Sequence, residues 1–490
     1  MFIDRSFYNM LGIAMTAAAF GCGPTPPNDV PVTGKNSADP TWEFTQSETS
    51  MTVAESDGRV IVISSNDETD TSDTITYDQT SRRVFAGASQ MGHAYSTDGG
   101  ASWVWGGKLA PPPGQAILWG DPALATLRYP SWGTVVMSNL SGRSEGFPAD
   151  GVVGSVADVL TGACIARSTD GGRTFAAWGC LHHENSFYDG GSMTAYSESG
   201  IAAAYFVPNE VQADVWIFDP TQTTPFCVRL PRPFPGLKVI HHPIVRSNER
   251  GHLYVMSAVE LITGSIVIAA AIYRDGSWSP PKIVASAGQI LPGPVLSMGN
   301  RKLRTARNFD FDLGRADATT ESEELRLLVG SKTSVFPGPG VLELHGYRCD
   351  SDLTGCSGVP GWAATGPGDR YRPRIRYAGI GLSTGQALAV WKATYDSRQH
   401  NPAGQTLTIF QGNMAFDAWL PQQLTDPHEV CSDLRGYWGD YDEFVSLRPG
   451  DLGGPIEFVH AFSDSSAGCK EEDRWEYDTK HLHVSAVRFP

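Results

Sequence analysis

Two nine-residue stretches in this chain are near copies of each other: YSTDGGASW at residues 95–103 and RSTDGGRTF at residues 167–175. The shared core is Ser-x-Asp-Gly-Gly-x-Ser/Thr followed by an aromatic residue. It reads as a tight turn between two strands. Asp98 and Asp170 are placed to accept backbone N–H bonds inside the turn, as Asx turns do. Gly99, Gly100, Gly171 and Gly172 permit the positive φ angles that such a loop demands. Trp103 and Phe175 are expected to bury beneath the turn and anchor it. The motif is thus a structural staple and not a reactive centre. A chain that repeats a hairpin staple is built from repeated hairpins.

A longer repeat runs through the same chain. A polar start leads into a strand, and a second apolar strand follows about ten residues on. The starts are SETSMTVA from Ser47, WGDPALAT from Trp119, YDGGSMTA from Tyr188, HHPIVRS from His241, RNFDFDL from Arg307, RPRIRYA from Arg372 and WGDYDEFV from Trp438. Units of about sixty residues predict an all-β chain, a single β-propeller of six or seven four-stranded blades, with seven favoured. The last unit, ending HLHVSAVRF, lacks an outer strand, and WEFTQ at residues 42–46 is expected to supply it and close the ring. Composition agrees: 53 Gly, 33 Pro and only 18% charged residues suit a turn-rich core, and no stretch reads as an amphipathic helix.

The N-terminus stands apart. The apolar run LGIAMTAAAF at residues 11–20 is too short to span a bilayer and suits the core of a signal peptide. Small residues before Cys22 resemble a bacterial lipoprotein signal. The expected organisation is a signal peptide over residues 1–22 ending at a lipidated Cys22, a Pro/Gly-rich tether over 23–40, and the propeller over 41–490. That places the protein in a bacterial cell envelope, anchored by lipid, or otherwise secreted. In an exported chain the neighbours Cys164 and Cys180, Cys349 and Cys356, and Cys431 and Cys469 are expected to pair, although spacing does not fix connectivity. Cys227 is left over.

The formal net charge of -16 repels polyanions and argues against nucleic acid as a partner. It leaves room for an anionic ligand held by a few local arginines. Innermost propeller strands begin on one face around the axis, so residues at the seven starts converge there. They place Glu48, Asp121, Asp189, His241, His242, Arg307, Asp310, Arg372, Arg374, Asp440 and Tyr441 around one pocket. Asp121 and Asp440 have an alternative role as caps of the loops entering their strands. No cofactor is expected. The acidic starts offer oxygen ligands suited to a structural Ca²⁺, but no loop has calcium spacing and no Cys/His spacing suggests another metal.

Ser96, Asp98, Gly100 and Trp103, and again Ser168, Asp170, Gly172 and Phe175, resemble Asp-boxes, the bacterial neuraminidase repeat of the sialidase superfamily. A degenerate third copy lies at residues 273–278, YRDGSW. The resemblance covers the chain from about Trp42 onward. It implies a propeller that binds or acts on carbohydrate at the cell surface, as an exo-glycosidase of sialidase type. Such enzymes clamp a substrate carboxylate with three arginines and use a tyrosine nucleophile activated by a glutamate, with an aspartate acid/base. Carried onto this chain, the clamp is Arg307, Arg372 and Arg374. The nucleophile pair is Tyr441 or Tyr437 with Glu443, and the acid is Asp121 or Asp189. The family's Arg-Ile-Pro signature is missing; Arg128-Tyr129-Pro130 is the nearest string and follows a strand. Two other readings stay open. One is a non-catalytic propeller binding glycan or protein. The other is a propeller lyase using a His base from His182–His183 or His241–His242. A closed ring leaves no free sheet edge, so a monomer is expected.

Overall fold

The computed structural model describes residues 30–31, 46–55, 58–67, 87, 89–127, 133–145, 159–184, 186–286, 289–290, 296–298, 301–303, 308–315, 323–332, 342–364, 370–377, 387–395, 406–413, 420–423, 428–429, 443–446, 456–464 and 481–489. Among these residues there are seven antiparallel sheets of four to six strands, a two-stranded ribbon (Leu296–Met298 with Arg301–Leu303) and one 3₁₀ turn, Pro208–Glu210. Sheet one runs Gln46–Val53, Ile61–Asp67, Met91–Ser96, Val104–Lys108. Sheet two opens with Gln115–Leu118 and Ala123–Thr126, then Val135–Arg143, Gly162–Ser168 and Ala176–His182. Sheet three is Asp189–Ala195, Ile201–Val207, Gln212–Phe218, Cys227–Arg229. Sheet four begins at Lys238–Val239 and Ile244–Ser247, and sheet five has Phe309–Arg315 as its first long strand. Sheet six begins at Arg370–Tyr377 and sheet seven at Glu443–Ser446.

The first strands form a closed circuit. Gln46–Val53 packs on Ala123–Thr126, that strand on Asp189–Ala195, then Ile244–Ser247, Phe309–Arg315, Arg370–Tyr377 and Glu443–Ser446, which returns to Gln46–Val53. Sheets that pack on their neighbours, with their first strands ringed about an axis, make a β-propeller. Each of the seven polar-start strings overlaps one of these strands. A middle strand covered on both faces can read as an unbroken apolar run. In Ile201–Val207, IAAAYFV, Ile201, Ala203 and Tyr205 pack toward sheet two while Ala202 and Ala204 pack toward sheet four.

The ring closes differently from the sequence expectation. Val30–Pro31 pairs with His483 and Val484 of the last strand, and so completes sheet seven. Of residues 42–46 only Gln46 is described, and it begins sheet one opposite Asp67. A two-residue strand ending in proline carries no period to read.

The two repeated turns have the geometry their residues dictate. Ser96 Oγ donates to Asp98 Oδ1 at 2.8 Å and accepts from Gly100 N, while Ser102 N and Oγ both donate to Asp98. Ser168, Asp170, Gly172 and Thr174 repeat this bond for bond. All four glycines have φ between 74° and 91°. Trp103 and Phe175 are half-buried, and Trp103 Nε1 donates to Gly100 O. The third copy differs: Asp275 and Gly276 alone form a two-residue turn, both at positive φ, between Arg274 and Ser277. Disulfides join Cys164 to Cys180 and Cys349 to Cys356. Cys431 and Cys469 lie outside the described residues, as does Cys22.

Candidate functional site

Neighbouring first strands are stapled by a repeated bond. Ser50 Oγ accepts from Leu124 N at 2.9 Å, linking sheets one and two. Ser192 Oγ accepts from Val245 N at 3.2 Å, linking three and four. Asp310 Oδ2 accepts from Ile375 N at 3.1 Å, linking five and six. Two residues further along each strand the pattern recurs, with Thr52 and Thr126, Thr194 and Ser247, and Asp312 accepting from Tyr377 N. Two-residue spacing keeps these side chains on one face of the strand.

Sheet five therefore carries a carboxylate where sheets one and three carry a hydroxyl. Asp310 has no exposed surface. Arg376 Nη1 reaches its Oδ2 at 2.6 Å and Arg246 Nη2 its Oδ1 at 3.2 Å. Burial pushes the Asp310 carboxyl up. The guanidiniums of Arg376, Arg246 and Arg374 outweigh that and hold it below the usual range, so it is ionised. For Asp312 burial prevails over Arg376 and Arg246, and its carboxyl is raised. A hydroxyl suffices for the staple, so the charge of Asp310 has another consequence. It fixes two guanidiniums beside the axis.

A small cavity lies there. Six of the first strands line it, through Ser50, Leu124, Ser192, Arg246, Asp310 and Arg374 among others. It holds only one or two water-sized groups. That is room for one end of a ligand and not for a ring.

At the strand-start face the structure brings together four of the expected residues. Asp121 sits at φ 53°, with its N–H on Asn66 Oδ1 and its Oδ2 accepting Gly190 N at 2.9 Å. Asp189 Oδ2 lies 3.3 Å from His242 Nε2. Gly190 leaves no side chain in front of His242; a Cβ there would run into the imidazole. His241 stacks edge-on to His242 at 6.2 Å. The Asp121 carboxylate thus ties sheets two and three, whereas the Asp189–His242 pair is partly open. Arg374 joins the axial cluster with Arg246 and Arg376, which lie within HHPIVRS and RPRIRYA but were not expected at the site. Arg307, Tyr437, Asp440 and Tyr441 lie outside the described residues. Glu48, Arg372 and Glu443 fall within described strands, their side chains outside the description. Among the described residues no three His, Cys, Asp or Glu side chains are grouped to hold a metal.

A second polar group forms on the same face between sheets two and three. Asp214 is fully buried and binds Arg229 Nη2 at 2.6 Å, with Arg232 Nε at 3.4 Å and Tyr188 Oη at 3.4 Å. Glu210 pairs with Arg232, and with His183 Nε2 at 3.2 Å. The Arg232 guanidinium holds the Glu210 carboxyl below its usual range. Burial, with Asp214 beside it, pushes the Tyr188 phenol up, so it stays protonated. Of these residues only His183 was a candidate in the sequence, and Tyr188 entered only as the first residue of YDGGSMTA.

No protein-family model matches the chain, and no curated protein matches it. Three solved structures illustrate what it is similar to. A protein of unknown function from Dyadobacter fermentans aligns over 95% of this chain and 100% of its own, at 12% identity and a TM-score of 0.45. Trypanosoma rangeli sialidase in complex with the inhibitor DANA aligns over 86% of this chain and 66% of its own, at 10% identity and 0.41. The intramolecular trans-sialidase from Ruminococcus gnavus in complex with oseltamivir carboxylate aligns over 76% and 95%, at 10% and 0.42.

Proposed function

We propose that this chain is a sialidase-like surface propeller of seven blades that recognises an acidic carbohydrate on its strand-start face. One observation carries the reading: Arg246, Arg374 and Arg376 come from two sheets to meet around one buried carboxylate, Asp310, beside the axis. Stationary guanidiniums in a chain of net charge -16 make a local attractor for a small anionic group. The cavity accepts a carboxylate, and the sugar ring rests at the mouth beside Asp189 and His242. In this reading Cys22 carries the lipid and no cofactor takes part. If a bond is cleaved, Asp189, partnered by His242, is the acid/base, and Tyr441 with Glu443 is the nucleophile pair. Calorimetric titration of the chain from residue 23 onward tests the reading. N-acetylneuraminic acid and glucuronic acid are expected to bind, glucose and N-acetylglucosamine are not, and Arg374→Gln is expected to lose binding. Equal binding of neutral and acidic sugars, or none by folded protein, overturns it. Hydrolysis of a fluorogenic sialoside, repeated with Tyr441→Phe and Asp189→Asn, decides whether binding leads to cleavage.

A further inference from the structure

The polar group between sheets two and three is not needed by the axial reading, and its construction is unusual. Asp214 lies under two guanidiniums with none of its side chain open. Arg229 and Arg232 are 38% and 34% exposed. Asp214 occupies Nη2 of Arg229, and Asp214 with Glu210 occupies Nε and Nη2 of Arg232. Each guanidinium has five donors in a rigid fork, so further donors remain on both. A buried carboxylate beneath a half-open arginine fixes the fork, and a fixed fork loses less freedom on taking an oxyanion.

The second carboxylate is held differently. Glu210 ends the 3₁₀ turn Pro208–Glu210, and the next residue, Val211, sits at φ 51°. A β-branched residue in the left-handed region is a strained choice. That turn presents the Glu210 carboxylate, partly exposed, to Arg232 and to the buried His183. Asp214 supports from below, and Glu210 sits where a ligand oxyanion would sit.

We propose that Arg229 and Arg232, seated on Asp214, form a second oxyanion clamp at the boundary of sheets two and three, occupied by Glu210 until a sulfate or carboxylate group displaces it. That the group belongs to an acidic carbohydrate rests on the function proposed above; the clamp itself does not. Asp214 is a positioning residue, and Glu210 is an internal competitor.

Trp216 reports on the site, because its Nε1 donates to Tyr188 Oη at 3.1 Å and Tyr188 donates to Asp214. Sodium sulfate and sodium glucuronate are titrated into the chain from residue 23 at constant ionic strength, with tryptophan fluorescence as the readout. A saturable change that disappears in Trp216→Phe is expected with at least one of the two. Glu210→Gln is expected to tighten it about fivefold, the scale of removing one partly exposed ion pair. Arg232→Gln is expected to abolish it, while Arg229 still neutralises Asp214 and preserves the fold. Arg374→Gln is expected to leave it unchanged. No saturable Trp216-dependent change with either anion, or no tightening in Glu210→Gln, overturns the clamp. So does a response that survives Arg232→Gln. Loss of the response in Arg374→Gln would place the anion at the axis and overturn the clamp while supporting the axial site.

Discussion

Arg376 Nη1 lies 2.6 Å from Asp310 Oδ2, across the boundary between sheets five and six, and the same oxygen accepts the backbone N–H of Ile375 at 3.1 Å. One carboxylate therefore performs two tasks, stapling two first strands and fixing an axial guanidinium. The tasks separate by mutation. Asp310→Ser restores the hydroxyl found at Ser50 and Ser192 and can keep the staple, but it leaves Arg246 and Arg376 without their buried counter-charge. Breaking one side of a buried ion pair costs about 3–5 kcal/mol. Ser50→Ala loses only one neutral hydrogen bond, about 1 kcal/mol. Chemical denaturation of the two variants is expected to show this difference. Equal losses would mean that the guanidiniums find other partners and that the charge at Asp310 is not structurally required.

Much of the ring was legible because it is local. Each polar start is followed within a few residues by its own strand, and the alternation of Ser50 with Thr52, or Asp310 with Asp312, is visible in SETSMTVA and RNFDFDL. The repeated turns were legible because the bonds centred on their Ser and Asp side chains lie within five residues, although the Gly99 and Gly171 N–H groups donate to the distant Arg59 and Gly133 carbonyls. The cysteine pairs 164–180 and 349–356 were legible as neighbours, and the first pair are directly opposed across adjacent strands. The site was less so. Asp310 meets Arg246 and Arg376 from sequence separations above sixty, and no periodicity reports which face of a neighbouring sheet an arginine meets. Arg232 and Glu210 lie in connecting loops, where pattern gives no direction. Val30–Pro31 has too few residues to show any pattern.

Asp170 ties its turn to acid stability. Burial alone would raise its carboxyl. The hydroxyl and N–H of Thr174, the Ser168 hydroxyl and the Arg173 N–H override that and bring it down to about 2. The folded value lies below the unfolded one, roughly 4. The contribution is therefore complete above pH about 4 and is lost as pH falls through about 2. Asp170→Asn is expected to lower stability at neutral pH and to flatten the pH dependence across that window. Urea midpoints measured from pH 5 to pH 2 check this, and parallel curves for the two proteins would refute it.

His93 acts in the same sense but at higher pH. Its ring lies over Gly106, where a Cβ would collide with it, and stacks edge-on to Phe175 at 5.0 Å. Burial depresses its pKa despite the Arg173 and Gly107 carbonyls. A base with a lowered folded pKa takes its proton first in the unfolded chain. Stability is then full above the unfolded value of about 6.5 and declines as pH falls below it. His93→Gln is expected to remove that decline between pH 7 and pH 5. Gly106→Ala is expected to destabilise at every pH by forcing the ring aside. A decline unchanged in His93→Gln would assign it to another group, with His182, whose pKa burial and Arg143 also lower, as the next to mutate.

The last sheet depends on a strand far from it in sequence. Val30–Pro31 covers the outer edge of His481–Phe489 through Val484 and His483. A chain beginning at residue 36 keeps all seven first strands but leaves that edge bare, with its backbone donors and acceptors open to water or to another chain. A chain beginning at residue 23 keeps the cover and lacks Cys22. Proline offers no N–H, so the pairing amounts to about one or two backbone bonds, on the order of 1–2 kcal/mol. The shorter chain is expected to melt several degrees lower and to associate at high concentration. Thermal melts and light scattering on the two chains measure both effects. If they melt together and both stay monomeric, the terminal strand is an accessory and sheet seven stands on three strands. If the shorter chain is weaker, ring closure runs through the N-terminal pair Val30–Pro31.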